Sequence, residues 1–250
     1  MWHLLVHGSV TQMSIETIQI KRGLTLPLAG SPTAEIDTTP GCRAVALVGA
    51  DYHGMKPTMA VQVGDQVKRG ELLFTDKKCE GVRYTSPAGG RVAAINRGAK
   101  RAFQSVVIDI EDDEAVAFER HTAEQAEALS AEAIREQLLS SGQWTALRTR
   151  PFSRVADPAT APAGLFITAI DTHPHAPDPA QIIARDAEAF VLGQTLLAKM
   201  VSCQVYLCAA PGAEIPQSAH ERLSRHDFAG PHPAGLAGTH VHFLLSLIHI

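Results

Sequence analysis

The sequence predicts a multidomain α+β protein, in which a small all-β unit is followed by the opening of an α/β unit. Three observations carry this. From Arg43 to Ile110, short apolar runs are broken by Gly and Pro, as in strands joined by tight turns. From Gly164, two compact apolar runs flank a long amphipathic stretch, the strand–helix–strand order that implies parallel pairing. Between the two lies a stretch of shifted composition, rich in Ala, Glu and Gln.

Taken in order, RAVALVG, KPTMAVQVGDQV, GELLF, GVRYTSPAGGRVAAI and SVVIDI supply the strands of the all-β unit. Period-two alternation in AVQVGDQV and QSVVIDI marks them as half-buried. VGDQVKRGELL and SPAGGRVAAI each place a turn before a strand, as two halves of a flattened barrel would. LSAEAIREQLLSSG predicts a helix, with Leu129, Ile134, Leu138 and Leu139 at helical spacing, an acidic start after Ser130 and a stop at Gly142. WTALRTRPFSRVADPATAPAG is a loop, since Pro151, Pro158 and Pro162 exclude regular structure from most of it. GLFITAID and CQVYLCAA then read as strands around one amphipathic helix, PAQIIARDAEAFVLGQTLLAKM. HDFAGPHPAGLAGTHVHFL reads as a loop leading into a further strand.

The organisation expected is a leader at residues 1–12, the all-β unit at 13–112, a linker helix and loop at 113–163, the start of the α/β unit at 164–244, and a tail at 245–250. The leader MWHLLVHGSVTQ lacks the basic start and cleavage site of a signal peptide, so Met13 is the expected natural start. The tail LSLIHI is similar to the translated end of a transposon used to build sequencing libraries. An assembled fragment cut near Leu244 is therefore expected.

The 250 residues are 45% hydrophobic, enough to bury a real core. No apolar run approaches the roughly 20 residues of a membrane helix, and a net charge of −4 with mixed signs argues against a broad nucleic-acid surface. Four cysteines without a CxxC pair are expected as free thiols in a reducing compartment, with Cys203 and Cys208 buried around a strand.

Val61–Lys78, VQVGDQVKRGELLFTDKK, resembles the opening of a lipoyl or biotinyl carrier domain, which holds its modified lysine at a hairpin tip. The register fails. Lys77 comes too early after Gly64, the segment onward to Ser86 and Pro87 is too long, and Lys78 is not the small apolar residue expected there. The expectation is a carrier-type barrel with no covalent cofactor.

IKRGLTLPLAGSP, VALVGADYHGMKPTMAVQVGDQVKRGELLF, INRGAKRAFQSVVI, SGQWTALRTRPFS and FAGPHPAGLAGTHVHF closely resemble the A-subunit family of the bacterial sodium-translocating NADH:quinone oxidoreductases. The resemblance runs from Ser14 to Leu244 and covers the N-terminal half of that subunit. It implies a β barrel-sandwich hybrid domain of lipoyl/biotinyl type, then an incomplete α/β domain similar to the flavin-bearing NADH subunit of respiratory complex I. It implies a peripheral subunit on the cytoplasmic side of the bacterial inner membrane, in a translocase that passes electrons from NADH to ubiquinone and exports sodium. Its partners would be the other subunits, above all the membrane-embedded quinone and flavin subunit. Flavin-bearing relatives cradle the FMN phosphate with a GxGGAGFPT-like loop, whereas Gly142–Ser153 here reads GQWTALRTRPFS. FMN, FAD and iron–sulfur clusters are accordingly expected only on partner subunits, with ubiquinone as substrate and the isolated fragment not catalytic. The rival readings are a soluble flavin-dependent NADH dehydrogenase and a carrier module; bound FMN would favour the former.

The resemblance further implies a contribution to quinone reduction. A quinone head needs a flat apolar slot and hydrogen-bond donors at its carbonyls. Two loops offer these: Gly49, Tyr52, His53, Gly54 and Met55 in VGADYHGM, and Arg148, Arg150, Phe152 and Ser153 in RTRPFS. The plain alternative for each is an ordinary turn. His232, His240 and His242 have the spacing of a metal pair if the last two lie on a strand, but no carboxylate accompanies them, and no metal or catalytic residue is assigned. His173 and His175 are expected to cap a helix start. Asn96–Arg101, NRGAKR, is a basic hairpin turn, either a solvated tip or a docking contact with an acidic neighbour or lipid headgroups.

Overall fold

A computed structural model describes residues 15–33, 35–38 and 41–246. The expected leader and residues 247–250 of the expected tail lie outside them. The chain forms β1 (Glu16–Gln19), β2 (Ala44–Val48), β3 (Pro57–Met59), β4 (Gln66–Val67), β5 (Leu72–Asp76), β6 (Cys79–Thr85), β7 (Gly89–Arg97) and β8 (Phe103–Asp112). It continues with α1 (Ala123–Ala128), α2 (Ala131–Ser140), β9 (Leu165–Ala169), α3 (Pro179–Ala184), α4 (Ala187–Met200), β10 (Val205–Ala209), β11 (Leu223–Ala229) and α5 (Ala237–Leu245).

Two antiparallel sheets make the barrel-sandwich, one ordered β2-β8-β7-β4 and the other β3-β5-β6. The alternation read in QSVVIDI holds in β8, whereas AVQVGDQV is strand only at Gln66–Val67. Val106 and Ile108 of β8 and Val92 of β7 point inward against Leu73, Phe74, Val82 and Tyr84 of the other sheet, all nearly inaccessible to water. Phe74 and Tyr84 are cross-strand partners whose rings stack with centroids 4.6 Å apart.

α1 and α2 connect this barrel to the second unit. Thr122 starts α1 with a capping box to Gln125, and the Ser130 hydroxyl caps α2 by accepting from the Ala133 amide. α2 packs on β6 to one side and α4 to the other, so the main apolar cluster runs without interruption from Val106 and Ile108 through Ile134 to Val205 and Leu207. The second unit is a parallel sheet in the order β1-β11-β10-β9. The helices on one face are α3 and α4. On the other, Ile18, Phe166, Tyr206, Cys208, Phe228 and Leu244 of α5 form a second cluster.

Several local readings change. The stretch assigned to one helix is two, because Asp186 (φ −145°, ψ 59°) leaves helical geometry between α3 and α4. HDFA already belongs to β11, and THVHFLL is helix α5 rather than a further strand. Side chains two apart on a helix diverge by about 200°: His240 is buried against Phe228, centroids 4.2 Å apart, while His242 meets Phe243. They do not form a pair. His173 and His175 do not cap the next helix either; the Asp178 carboxylate does so, accepting from the Ala180 amide at 2.9 Å. The strand Glu16–Gln19 falls within the stretch assigned to the barrel, yet it is hydrogen bonded to β11 of the parallel sheet.

Candidate functional site

The two loops singled out in the sequence meet at one end of the barrel. The first leaves β2 through a 3-10 turn at Gly49–Asp51, where a side chain on Gly49 would come within 2.6 Å of the Phe103 carbonyl oxygen. Only glycine fits there. The second loop arrives through Gly142, which ends α2 in the left-handed region at φ 81° and lies against Thr85. Trp144 anchors the turn that follows: it is buried, and its indole N–H donates to the Ala156 carbonyl at 2.7 Å.

Arg148 joins the loops. Its guanidinium donates to the Asp51 carbonyl oxygen at 2.8 Å and lies over the Tyr52 ring, 4.8 Å from the centroid. Met55 packs against the barrel core, and Arg154 lies beside Gly54. Phe152 stays 65% exposed, with the Arg154 guanidinium 5.5 Å from its centroid. His53 and Arg150 are exposed, with no side-chain hydrogen bond or ion pair to a described residue, and Ser153 sits at φ 52°.

Lys77 and Lys78 form the tip of the β5–β6 hairpin, and that tip is tied to the first loop. The Lys77 amide donates to the Lys56 carbonyl, the Lys78 ammonium to the Gly54 carbonyl, and the Asp76 carboxylate accepts from the Lys56 and Lys78 amides. The Lys78 ammonium is held by protein.

Beneath Tyr52 opens a cleft of about 1040 Å³ between barrel, linker and helices. Its walls include Val48, Asp51 and Tyr52 from the first loop, Tyr84–Pro87, Val116–His121, Leu138 and Ser141, but none of the second-loop candidates. Sequence reading missed Tyr84, which looks like a core strand residue. Its ring meets Tyr52 edge-on at 4.8 Å, and its hydroxyl is buried with no hydrogen-bond partner. Burial raises the pKa of both phenols; at Tyr52 the Arg148 charge opposes that rise in part. Both therefore keep their protons near neutral pH and can donate to a carbonyl oxygen.

Residues 18–111 match the NqrA N-terminal barrel-sandwich hybrid domain, and residues 129–249 match the NqrA second alpha/beta domain. The chain belongs to the NqrA family. It is 56% identical over 227 residues to the A-subunit of the Na(+)-translocating NADH-quinone reductase of Pseudomonas aeruginosa UCBPP-PA14, covering 91% of this chain and 51% of that protein. Over 228 residues it is 54% identical to the corresponding protein of Shewanella amazonensis, again 91% of this chain and 51% of the relative. The Yersinia pestis Angola relative of the same name is 50% identical over 227 residues, with the same two shares. The chain spans about half the length of the curated relatives it matches.

In this NqrA-family chain the stretch Gly142–Ser153, read in the sequence as lacking a glycine-rich phosphate cradle, folds as a turn around buried Trp144. Trp144 fills it with bulk, and the Thr145 and Leu147 amides are engaged by the Gly142 and Trp144 carbonyls. No helix among the described residues is long and apolar enough to cross a membrane, and no cluster of three or more His, Cys, Asp or Glu among them is arranged to hold a metal.

Proposed function

We propose that this chain is the N-terminal half of a peripheral subunit of a sodium-pumping NADH:ubiquinone reductase, on the cytoplasmic side of the bacterial inner membrane. Its share of the work is to help form the quinone site. The carrying observation is the Arg148–Tyr52 contact, which unites two loops nearly a hundred positions apart in sequence. Tyr52 and Tyr84 bring two protonated phenols to the cleft and Val48 and Val116 give it apolar walls, while Arg148, outside that lining but over the Tyr52 ring, keeps further N–H donors beyond the one spent on Asp51. A quinone head there would accept hydrogen bonds at its carbonyls, which favours the reduced oxyanion as charge develops. Electrons would come from flavin and iron–sulfur groups on partner subunits, with the membrane-embedded quinone and flavin subunit completing the site; this chain would hold no covalent cofactor.

The test is quinone affinity in the assembled complex. Tyr52→Ala and Phe152→Ala are each expected to weaken it, Tyr52→Ala by roughly tenfold, the worth of one hydrogen bond and one ring face. Unchanged affinity in both variants would reject the site.

A further inference from the structure

The same end of the barrel carries an unbalanced charge. Four loops close it: residues 49–56, 76–80, 97–102 and 148–157. Gly49 lies against Phe103 beside the β7–β8 tip, the Lys78 ammonium reaches Gly54, Arg148 bonds Asp51, and the Cys79 thiol donates to the Ala156 carbonyl. Together these loops hold nine Lys and Arg against four Asp and Glu, in a chain whose net charge is −4. None of the nine forms an ion pair with a described residue. At the opposite end the pattern reverses: Lys68 is paired with Glu114, and Arg91 with Glu111.

The excess peaks at the β7–β8 tip. Lys100 and Arg101 both adopt left-handed backbone, at φ 53° and 60°, held by the Gly98 amide on the Ala102 carbonyl at 2.8 Å. A conformation disfavoured for side chains of this kind is kept where it extends two cations from the barrel. Around the cations stand apolar groups open to solvent, Phe152 at 65% and Val48 at 40%.

We propose that this end of the barrel docks on an anionic phospholipid surface. Unpaired cations with exposed apolar side chains between them match a headgroup layer, where each Lys or Arg contributes and the apolar groups reach below it. The choice of a bilayer over an acidic protein rests on the quinone reading above, because ubiquinone is dissolved in the membrane and the candidate loops sit on this same end. Docking would bring those loops to the quinone's own phase.

The experiment is co-sedimentation of the purified chain with quinone-free vesicles of phosphatidylglycerol or of phosphatidylcholine. Binding is expected to the anionic vesicles alone and to vanish in high salt, which screens surface charge within about 3 Å at 1 M. Lys100→Asn/Arg101→Asn, which suits the left-handed backbone, should weaken it roughly 30-fold, and Lys68→Asn at the far end should leave it unchanged. No binding to phosphatidylglycerol, equal binding to both lipids, or insensitivity of the unaltered chain to salt would overturn the proposal. So would a photocrosslinker at position 100 that captures an acidic protein segment rather than lipid in native membranes. Since the vesicles contain no quinone, failure here is separate from failure of the Tyr52 and Phe152 variants.

Discussion

The Arg148 guanidinium caps the Tyr52 ring at 4.8 Å while donating to the carbonyl next to it in sequence, on Asp51. One side chain thus fastens the loop after α2 to the loop after β2. Arg148→Ala is expected to cost about 1–2 kcal/mol, the sum of a cation–π contact and a charge-assisted hydrogen bond. Arg148→Lys should recover less than half, because an ammonium cannot stack and donate sideways at once. Urea unfolding of the three proteins decides this; a Lys variant as stable as the parent would show that charge alone holds the loops.

Gly142 joins the helix that supports this loop to the barrel. A β-carbon there would sit 2.4 Å from the Thr85 hydroxyl oxygen, on a backbone at φ 81°. Gly142→Ala should destabilise by about 2–4 kcal/mol, combining left-handed strain with overpacking. Thr85→Ala in the same chain removes the hydroxyl and methyl from the clash but leaves the backbone strain, so the double variant should regain part of the loss. Strictly additive effects in a double-mutant cycle would mean the two sites do not touch.

Much of this was legible in the sequence because the signals were local. Alternation in QSVVIDI marked the inward face of β8, and Ser130 with Gly142 bounded α2 correctly. The residue types of both candidate loops were also readable. Features decided by tertiary packing were not. THVHFLL has the β-branched and aromatic content of a strand, but it folds as helix α5 with His240 buried against Phe228. The alternation of ETIQ is the same whichever sheet it joins. Tyr84 reads as a core strand residue until the fold lays it edge-on beneath Tyr52.

His240 gives the fold a pH dependence with a defined sign. It is fully buried, its Nε2 lies 2.8 Å from the Ala234 carbonyl, its Nδ1 has no partner, and burial lowers its pKa below the ordinary histidine value. Below about pH 6.5 the unfolded chain takes up a proton that the folded chain refuses. Its contribution is therefore complete above that pH and is lost as pH falls toward the folded value, by up to about 1.4 kcal/mol per pH unit. His240→Gln should cost about 1–2 kcal/mol at pH 7.5 and flatten the acid slope. Equal slopes for parent and variant between pH 7 and pH 5 would refute the assignment.

The four cysteines are free, and they differ in environment. Cys42 is exposed, whereas Cys208 is inaccessible in β10 and burial pushes its thiol up to about 12; burial also raises Cys79 and Cys203. Only the thiolate alkylates, so in the folded chain near pH 8 iodoacetamide should modify Cys42 at least about a hundredfold faster than Cys208. In urea the thiol of Cys208 returns toward about 8.5 and the difference should collapse. Peptide mass mapping over time reads both rates. If Cys208 kept pace with Cys42 in the folded chain, β10 would be opening to solvent, and the sheet that α4 and α5 cover would not be closed.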